Sequence, residues 1–449
     1  MKKTLIAVAA AAALTATSAF AEITFGAWLR SITGVASNGE DILTGTSNSW
    51  GGMRPSRLNV AGTSEDGNVG FKLDVYFNAT KAQTVNADGT FSGSTQVLEV
   101  GDNAYLWVKP ASSVQIALGK FDGGETGLRG DFCYGSWNWL RPGNWIADDE
   151  GFTFNGSHTD GFMAKITPVD GLVAVVQLPV YNSDWGGYNN AYQKETVIDG
   201  VKIDAKYTIE DTFKNGMYAA AYSIEGLGTL KAGYFGSYAE KNKKSTKKVY
   251  TTNTSNLKNS DGDPSTNGLI SVEEELDPAA KDSEQIGTVN VAFDFNAVEN
   301  LFVTVGARFG IADKEFKADN EKMKITAGAS YQVSDAMKFS VSGGYVQYQD
   351  KCTGKDGKDD SAFGIGAGVD YAIMDGLNAA ADLRYKSNAG GDKDGAISFL
   401  VGVTKNVSSN GYIGVGFQGA TNGNGLTGIK ANAGDDFVWA IPVALQVGF

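Results

Sequence analysis

The sequence predicts an all-β fold, a transmembrane antiparallel up-and-down β-barrel of about 16 to 18 strands, with 18 as the best count. Three observations predict it. Apolar residues alternate with polar or small ones in many short segments. After residue 21, no stretch approaches the roughly 18 to 20 consecutive apolar residues that a membrane-spanning helix needs. The composition is rich in turn formers and aromatics, with 58 Gly, 18 Tyr and 23 Phe but only 8 Pro.

Residues 1–21 have the pattern of a cleaved signal peptide. Lys2 and Lys3 precede an apolar run from Leu5 to Leu14, and the small residues Ala19 and Ala21 flank Phe20 at a cleavage site. We therefore expect export from the cytoplasm and a mature barrel over 22–449. Without the two lysines, 36 basic residues face 51 acidic ones, a formal charge of −15, which excludes nucleic acid as a natural partner.

Turn-forming clusters divide the mature chain into alternating short and long connections. The predicted strands are 22–33, 54–63, 69–80, 100–109, 113–120, 151–167, 171–181, 216–224, 228–238, 285–296, 301–312, 323–333, 338–348, 362–372, 377–387, 396–404, 411–420 and 437–449. An even count places both termini on the periplasmic side, with short turns there and long loops outside. The longest external loop is 239–284, and segment 201–209 is expected to lie inside another folded external loop.

Alternation also shows which face of a strand meets lipid. In 69–77, the residues Val69, Phe71, Leu73, Val75 and Phe77 share one face, while Gly70, Lys72, Asp74 and Tyr76 share the other. In 301–309, Leu301, Val303, Val305, Ala307 and Phe309 lie opposite Thr304, Gly306 and Arg308. A charge on the lipid face costs about 2 to 4 kcal/mol at mid-membrane, so the charged face must point inward. A barrel of this size is too wide for side chains to fill and encloses water.

The final segment is the clearest strand. Large apolar residues occupy every second position from Phe437 to Phe449, opposite smaller residues and Gln446. The alternative is the last strand of a soluble sandwich. This ending resembles the C-terminal signal of bacterial outer-membrane barrels, with Phe449 as the terminal aromatic. The resemblance implies two partners, the barrel-assembly machinery and the lipid of the bacterial outer membrane.

Segment 56–178 contains four recognisable motifs, namely Ser56-Arg57-Leu58-Asn59-Val60-Ala61-Gly62-Thr63-Ser64-Glu65-Asp66-Gly67-Asn68, Gly70-Phe71-Lys72-Leu73, Ala117-Leu118-Gly119-Lys120-Phe121-Asp122-Gly123-Gly124, and Val169-Asp170-Gly171-Leu172 with Ala174-Val175-Val176-Gln177. With these motifs, the segment resembles the general Gram-negative porin family. The resemblance implies an outer-membrane homotrimer that passes small hydrophilic solutes or ions by passive diffusion. It also implies a third loop that folds back into the pore and forms its constriction.

The resemblance assigns Arg57 to the pore wall and places Lys120 beside the constriction. Other wall arginines of the family are missing, since Asn103 stands at one position and 152–155 contain no basic residue. Adding the charged residues of the lumen face and of the presumed third loop, 121–150, gives the full candidate constriction. Its members are Arg57, Lys72, Asp74, Lys120, Asp122, Glu125, Arg129, Asp131, Asp148, Asp149 and Glu150. Acidic groups in a narrow pore would favour cations.

Two further hypotheses compete with a general diffusion channel. The third loop also carries aromatic residues that could stack on sugars, namely Tyr134, Trp137, Trp139 and Trp145; alternatively, these rings merely pin the loop to the inner wall. The other hypothesis is an adhesin or structural barrel that acts through its long external loops, above all 239–284.

Two loops carry residues that could bind a metal or form a disulfide. Asp263, Ser265, Asn267, Leu269 and Glu274 have the spacing of a calcium loop, although Ser at the third position is unusual and an acidic solvated loop is the alternative. No other cofactor is expected. Cys133 and Cys352 are the only two cysteines, so one disulfide between external loops is the only intramolecular option.

No enzymatic site is expected. The sole histidine, His158, follows Ser157 directly. Adjacent residues on a strand point to opposite faces, so these two side chains cannot form a nucleophile and base pair.

Overall fold

The fold was analysed on a computed structural model of the 449-residue chain. The structure describes residues 22–37, 42–47, 56–77, 83–85, 91–93, 98–121, 123–126, 128, 160–179, 196–198, 201–203, 209–236, 244–250, 269–276, 285–312, 321–348, 361–387, 395–421 and 437–449. The predicted signal peptide lies outside these ranges. In the described part of the chain, no helix is long and apolar enough to cross a membrane.

Eighteen strands form the barrel wall. In chain order they are β1 Glu22–Ser37, β2 Ser56–Thr63, β3 Val69–Phe77, β4 Leu98–Ala111, β5 Val114–Lys120, β6 Asp160–Ile166, β7 Leu172–Pro179, β8 Met217–Ile224, β9 Gly228–Gly236, β10 Gln285–Phe295, β11 Leu301–Ala312, β12 Glu321–Ser334, β13 Met337–Tyr348, β14 Ser361–Met374, β15 Leu377–Lys386, β16 Ala396–Ser408, β17 Gly411–Thr421 and β18 Phe437–Gly448. Each pairs antiparallel with the next.

The sheet closes between its first and last strands. β1 pairs with β18 from Trp28 opposite Gly448 to Ser37 opposite Trp439. On its other edge, β1 pairs with β2 through Glu22–Trp28 and with a short strand, Ile42–Ser47, through Ile32–Ser37. Those two partners follow one another along β1 and share one position around the wall. The closed antiparallel barrel therefore has 18 strand positions, and the predicted count is confirmed.

The remaining described elements lie within the long connections. Three hairpins are separate from the barrel sheet, Gln83–Val85 with Phe91–Gly93, Thr196–Ile198 with Val201–Ile203, and Lys244–Tyr250 with Leu269–Leu276. A 3-10 helix covers Gly123–Thr126 and a short α-helix covers Ile209–Lys214. The described residues of segment 201–209 thus add no strand to the barrel.

The two faces of the wall differ as predicted. Exposed large apolar side chains project outward, among them Val305 and Phe309 of β11, whereas Thr304, which directly precedes Val305, is buried on the inner face. In β18 the exposed and buried classes alternate, with Ile441 and Leu445 exposed. Such an outer surface suits lipid, because hydrocarbon solvates only apolar side chains.

The short turns are built from local side-chain hydrogen bonds. Between β2 and β3, the Ser64 hydroxyl accepts from the backbone N–H of Val69 at 3.1 Å and donates to the Asp66 carboxylate at 2.6 Å. The same carboxylate accepts from the N–H of Asn68 at 3.1 Å. Gly67 has φ +68°, which glycine adopts without strain. These hydrogen bonds hold the pKa of the Asp66 carboxyl below its usual value.

Candidate functional site

Charged side chains meet on the inner face of β2, β3 and β4. We call this group the inner cluster; its charged members are Arg57, Lys72, Asp74, Asp102 and Glu125. Arg57 and Asp74 project from neighbouring strands on the face opposite Leu58 and Val75. With two cations and three carboxylates, the inner cluster has a formal excess of one negative charge.

Asp74 is the centre of the inner cluster and is fully buried. The side-chain amide of Asn103 donates to it at 2.8 Å, and the amide of Asn59, directly opposite on β2, also donates to it. The Arg57 Nη1 atom lies 4.0 Å from carboxylate oxygens of both Asp74 and Asp102. A buried carboxylate is stable only with such partners.

A break in the β3–β4 register brings Asp102 and Asn103 to the same side. Leu73 pairs with Ala104, but Val75 pairs with Val100, so three residues of β4 face Asp74. Both Asp102 and Asn103 are buried there. Adjacent residues of a regular strand would point to opposite faces, whereas a bulge redirects one of them. The bulge therefore completes the hydrogen bonding of Asp74.

Glu125 joins the start of the third loop to the wall. It lies in the 3-10 helix directly after β5, and its carboxylate accepts a hydrogen bond from the Tyr105 hydroxyl at 2.7 Å. It also forms an ion pair with Lys72, 53 residues earlier in the chain. Lys72 and Tyr105 are cross-strand neighbours on the inner face of β3 and β4.

Apolar packing holds the same segment. Phe121 and Leu128 are each 1% exposed and lie in one cluster with inner-face residues of β5 to β10, including Met163 and Met217. The Phe121 ring also lies 5.1 Å from the ring of Tyr105, centroid to centroid. The described part of the loop, 121 to 128 with gaps, is therefore anchored by an ion pair and by buried apolar side chains on the inside of the barrel.

A second charged region lies on β11, β12 and β15. We call it the basic arc; its members are Arg308, Lys324, Arg384 and Lys386, with Asp382 as an acidic neighbour. Arg308 and Lys324 are directly opposite each other. Arg384 donates to Asp382 at 2.7 Å, and Lys324 repels Lys386 electrostatically. Like charges placed directly opposite each other are unfavourable, so their presence favours a role for positive charge.

The basic arc and the inner cluster lie on opposite sides of the barrel, and both face the lumen. β11 and β12 are nine strand positions from β2 and β3 in the 18-strand barrel. The inner positions of β13 and β14 between Lys324 and Lys386 include Gly344 and Gly364, which have no side chains. One wall of the lumen therefore carries charges of both signs, with Lys165 of β6 also near Glu125, whereas the other is mainly basic.

Comparison with known proteins agrees with this architecture. A family model described as Gram-negative porin matches residues 7–391, most of the chain. The chain belongs to the Gram-negative porin family. It is therefore a channel of the bacterial outer membrane that lets small hydrophilic solutes diffuse passively, as the sequence predicted.

Solved structures similar to this porin are distant from it in sequence. The anion-selective porin from Comamonas acidovorans is 13% identical, with 95% of this chain and 99% of that chain covered and a TM-score of 0.45. OmpF of Salmonella typhi in complex with daunomycin is 11% identical over 95% and 97%, with a TM-score of 0.46. OmpT of Vibrio cholerae in its trimer form is 14% identical over 95% and 99%, with a TM-score of 0.44. No curated protein matches the chain.

The structure brings four of the predicted constriction residues of this porin together, namely Arg57, Lys72, Asp74 and Glu125. Lys120 is not among them. It follows exposed Leu118 by two positions and pairs with Ala104, which places it on the outer face of the wall. The other members, Asp122, Arg129, Asp131, Asp148, Asp149 and Glu150, lie outside the described residues.

The remaining predicted sites of the porin fall mainly outside the described residues. This is true of Tyr134, Trp137, Trp139 and Trp145, of both cysteines, of His158, and of Asp263, Ser265 and Asn267. Leu269 and Glu274 belong to a strand, Leu269–Leu276. In the described ranges, no three His, Cys, Asp or Glu side chains are grouped so as to hold a metal ion.

Several inner residues were missed by sequence reasoning. Asp102 depends on the bulge, which no local pattern announces. Tyr105 and Trp28 look like ordinary strand aromatics, yet Tyr105 binds Glu125 and the Arg57 guanidinium lies 3.9 Å from the centre of the Trp28 ring. The basic arc could have been found, because Arg308 already stood on the predicted inner face, but its cross-strand neighbours depend on register.

Proposed function

We propose that this porin is a general diffusion channel, without catalytic activity, whose narrowest part lies between the inner cluster and the basic arc. The observation that carries the proposal is the anchoring of the third-loop start on the inner wall by Glu125, Phe121 and Leu128. A loop that begins on the inner wall starts inside the lumen. We therefore propose that the third loop folds inward and narrows the pore.

The opposed charges support a permeability to solutes of either sign. Carboxylates on one wall stabilise cations and the basic arc on the other stabilises anions, while low-dielectric walls focus both potentials in the water between them. A dipolar solute can align with the transverse field. We expect a modest preference between cations and anions.

Planar-bilayer recording tests the channel. The purified protein is expected to insert with stepwise increases in conductance in KCl. Neutral polyethylene glycols of increasing size should lower the single-channel conductance only while they are small enough to enter. An electrically silent protein that is correctly folded by circular dichroism would overturn the proposal.

A homotrimer and recognition by the barrel-assembly machinery complete the proposal. Membership of the porin family supports the homotrimer. Support for the second comes from Phe449, which is 74% exposed and whose backbone N–H and C=O both bond with Ala27 at 2.9 Å. The mass of the purified complex by native mass spectrometry should equal three chains; a monomer mass would contradict it. Phe449→Ala should reduce the amount assembled in the outer membrane, with Phe437→Ala as a control on the same face.

A further inference from the structure

A cavity of about 460 Å³ opens on the inner side of the wall at the short-turn end. It lies at the closure seam, between β1, β18, β17 and the turn after β16, away from the third loop. Its lining comprises Trp28, Asn406, Ser408, Ser409, Asn410, Gly411, Tyr412, Gln446, Gly448 and Phe449. Its volume falls within the range of about 300 to 1,000 Å³ that is usual for small-molecule sites.

The register explains why these side chains meet. Asn406 pairs with Tyr412 and Tyr412 pairs with Gln446, so the three project from neighbouring strands on one face. Trp28 pairs with Gly448 on the next strand pair. The glycine leaves room beside the indole, since a Cβ there would lie 3.6 Å from the Trp28 ring.

The chemistry of the lining is neutral, polar and aromatic. No side chain among the lining residues carries a charge, and the amides and hydroxyls can both donate and accept hydrogen bonds. The Tyr412 hydroxyl donates to the side-chain amide oxygen of Gln446 at 3.3 Å. The rings of Trp28 and Tyr412 add apolar faces with a polar edge. The lining side chains offer an ion no counter-charge, whereas a ligand rich in hydroxyl groups matches them.

We propose that this cavity binds a neutral saccharide. One sugar ring packs on an aromatic face, and its hydroxyl groups bond with the side chains of Asn406, Ser408 and Gln446. The Arg57 guanidinium lies 3.9 Å from the Trp28 ring centre, so the cavity adjoins the inner cluster. A sugar that leaves the constriction toward the short-turn end meets this site next.

The proposal rests on the proposed channel function only for its location in a pore, so binding and current are measured separately. Isothermal titration of the detergent-solubilised protein with maltotriose measures binding without current. Planar-bilayer recording with maltotriose added to one side at a time measures interruption of the current. We expect saturable binding, and more frequent interruptions when the sugar enters from the short-turn end.

Variants identify the cavity as the site. Tyr412→Ala removes a ring and should weaken binding about five- to tenfold. Gln446→Leu removes hydrogen bonds and should weaken it about fivefold. Gln332→Leu is the matched control, because Gln332 lies at the short-turn end of β12 and bonds with Ser334 instead; it should bind like the wild type.

The outcomes are distinct. A conducting protein that shows no saturable binding, or whose binding is unchanged in Tyr412→Ala and Gln446→Leu, overturns the saccharide site and leaves the channel intact. A silent protein that binds maltotriose and loses binding in the two variants supports the site and overturns the channel.

Discussion

The inner cluster and the basic arc are both charged, but they are built in different ways. In the inner cluster, every carboxylate has a described partner, and Asp74 accepts hydrogen bonds from two side-chain amides. In the basic arc, Arg308 lies directly opposite Lys324, and Arg384 donates to the Asp382 carboxylate. The first arrangement resembles a structural network that positions a loop. The second retains unfavourable repulsion, which is expected where charge serves passing solutes.

The largest effect should come from neutralising the basic arc. In the double variant Arg308→Gln/Lys324→Gln, the lumen loses two positive charges. We expect the cation-to-anion permeability ratio to rise at least about twofold. Reversal potentials in a KCl gradient measure it.

The control for that variant is Lys405→Gln, since Lys405 bonds with the Asp375 carbonyl in a short turn and should not change the ratio. A double variant with the ratio of the wild type would mean that the basic arc does not line the ion path.

A smaller shift of opposite sign is expected for Glu125→Gln. The variant loses a negative charge, but Asp74 and Asp102 remain, so the permeability ratio should fall by less than it rises in the arc variant. Glu65→Gln, in an exposed turn, is the matched control. A rise in the ratio for Glu125→Gln would contradict the assignment of the inner cluster to the pore.

Weakening the apolar packing at the start of the third loop tests the position of the loop separately from its charge. Leu128→Ala leaves every charge in place but removes buried contacts, a change that costs about 2 to 5 kcal/mol in a packed core. We expect a larger and noisier single-channel conductance with an almost unchanged permeability ratio. Leu118→Ala, on the lipid face of β5, is the control; equal conductance in the two variants would argue against the anchor.

The smallest effect concerns a charge outside the lumen. The pKa of Asp66 is lowered in the folded protein, so its stabilising effect on the turn is complete above the unfolded pKa of 3.8 and is lost as the pH falls through the folded pKa. Amide exchange at Asn68 and Val69 should therefore accelerate as the pH falls through the folded pKa, relative to Leu172, whose N–H bonds with the Val169 carbonyl at another short turn. Permeability should not follow this transition.

Much of the fold could be predicted because the residues of each strand alternate between its two faces. The alternation from Val69 to Phe77 and from Phe437 to Phe449 fixed which side chains meet lipid, and the turn clusters gave 18 strands. The predicted strand 151–167 begins at Asp160 in the described residues. Contacts between strands were harder to predict, because they depend on the register of pairing. The bulge at Asp102 and the outward position of Lys120 follow from pairing, which local sequence does not specify.

The most direct test of the opposed-wall account combines both changes in one protein. The triple variant Arg308→Gln/Lys324→Gln/Glu125→Gln should have a cation-to-anion permeability ratio between those of the arc variant and the Glu125→Gln variant, because distant substitutions add. Reversal potentials from single channels in one KCl gradient give all three values. A triple variant outside that interval, or shifts of the same sign in the two parent variants, would contradict the account.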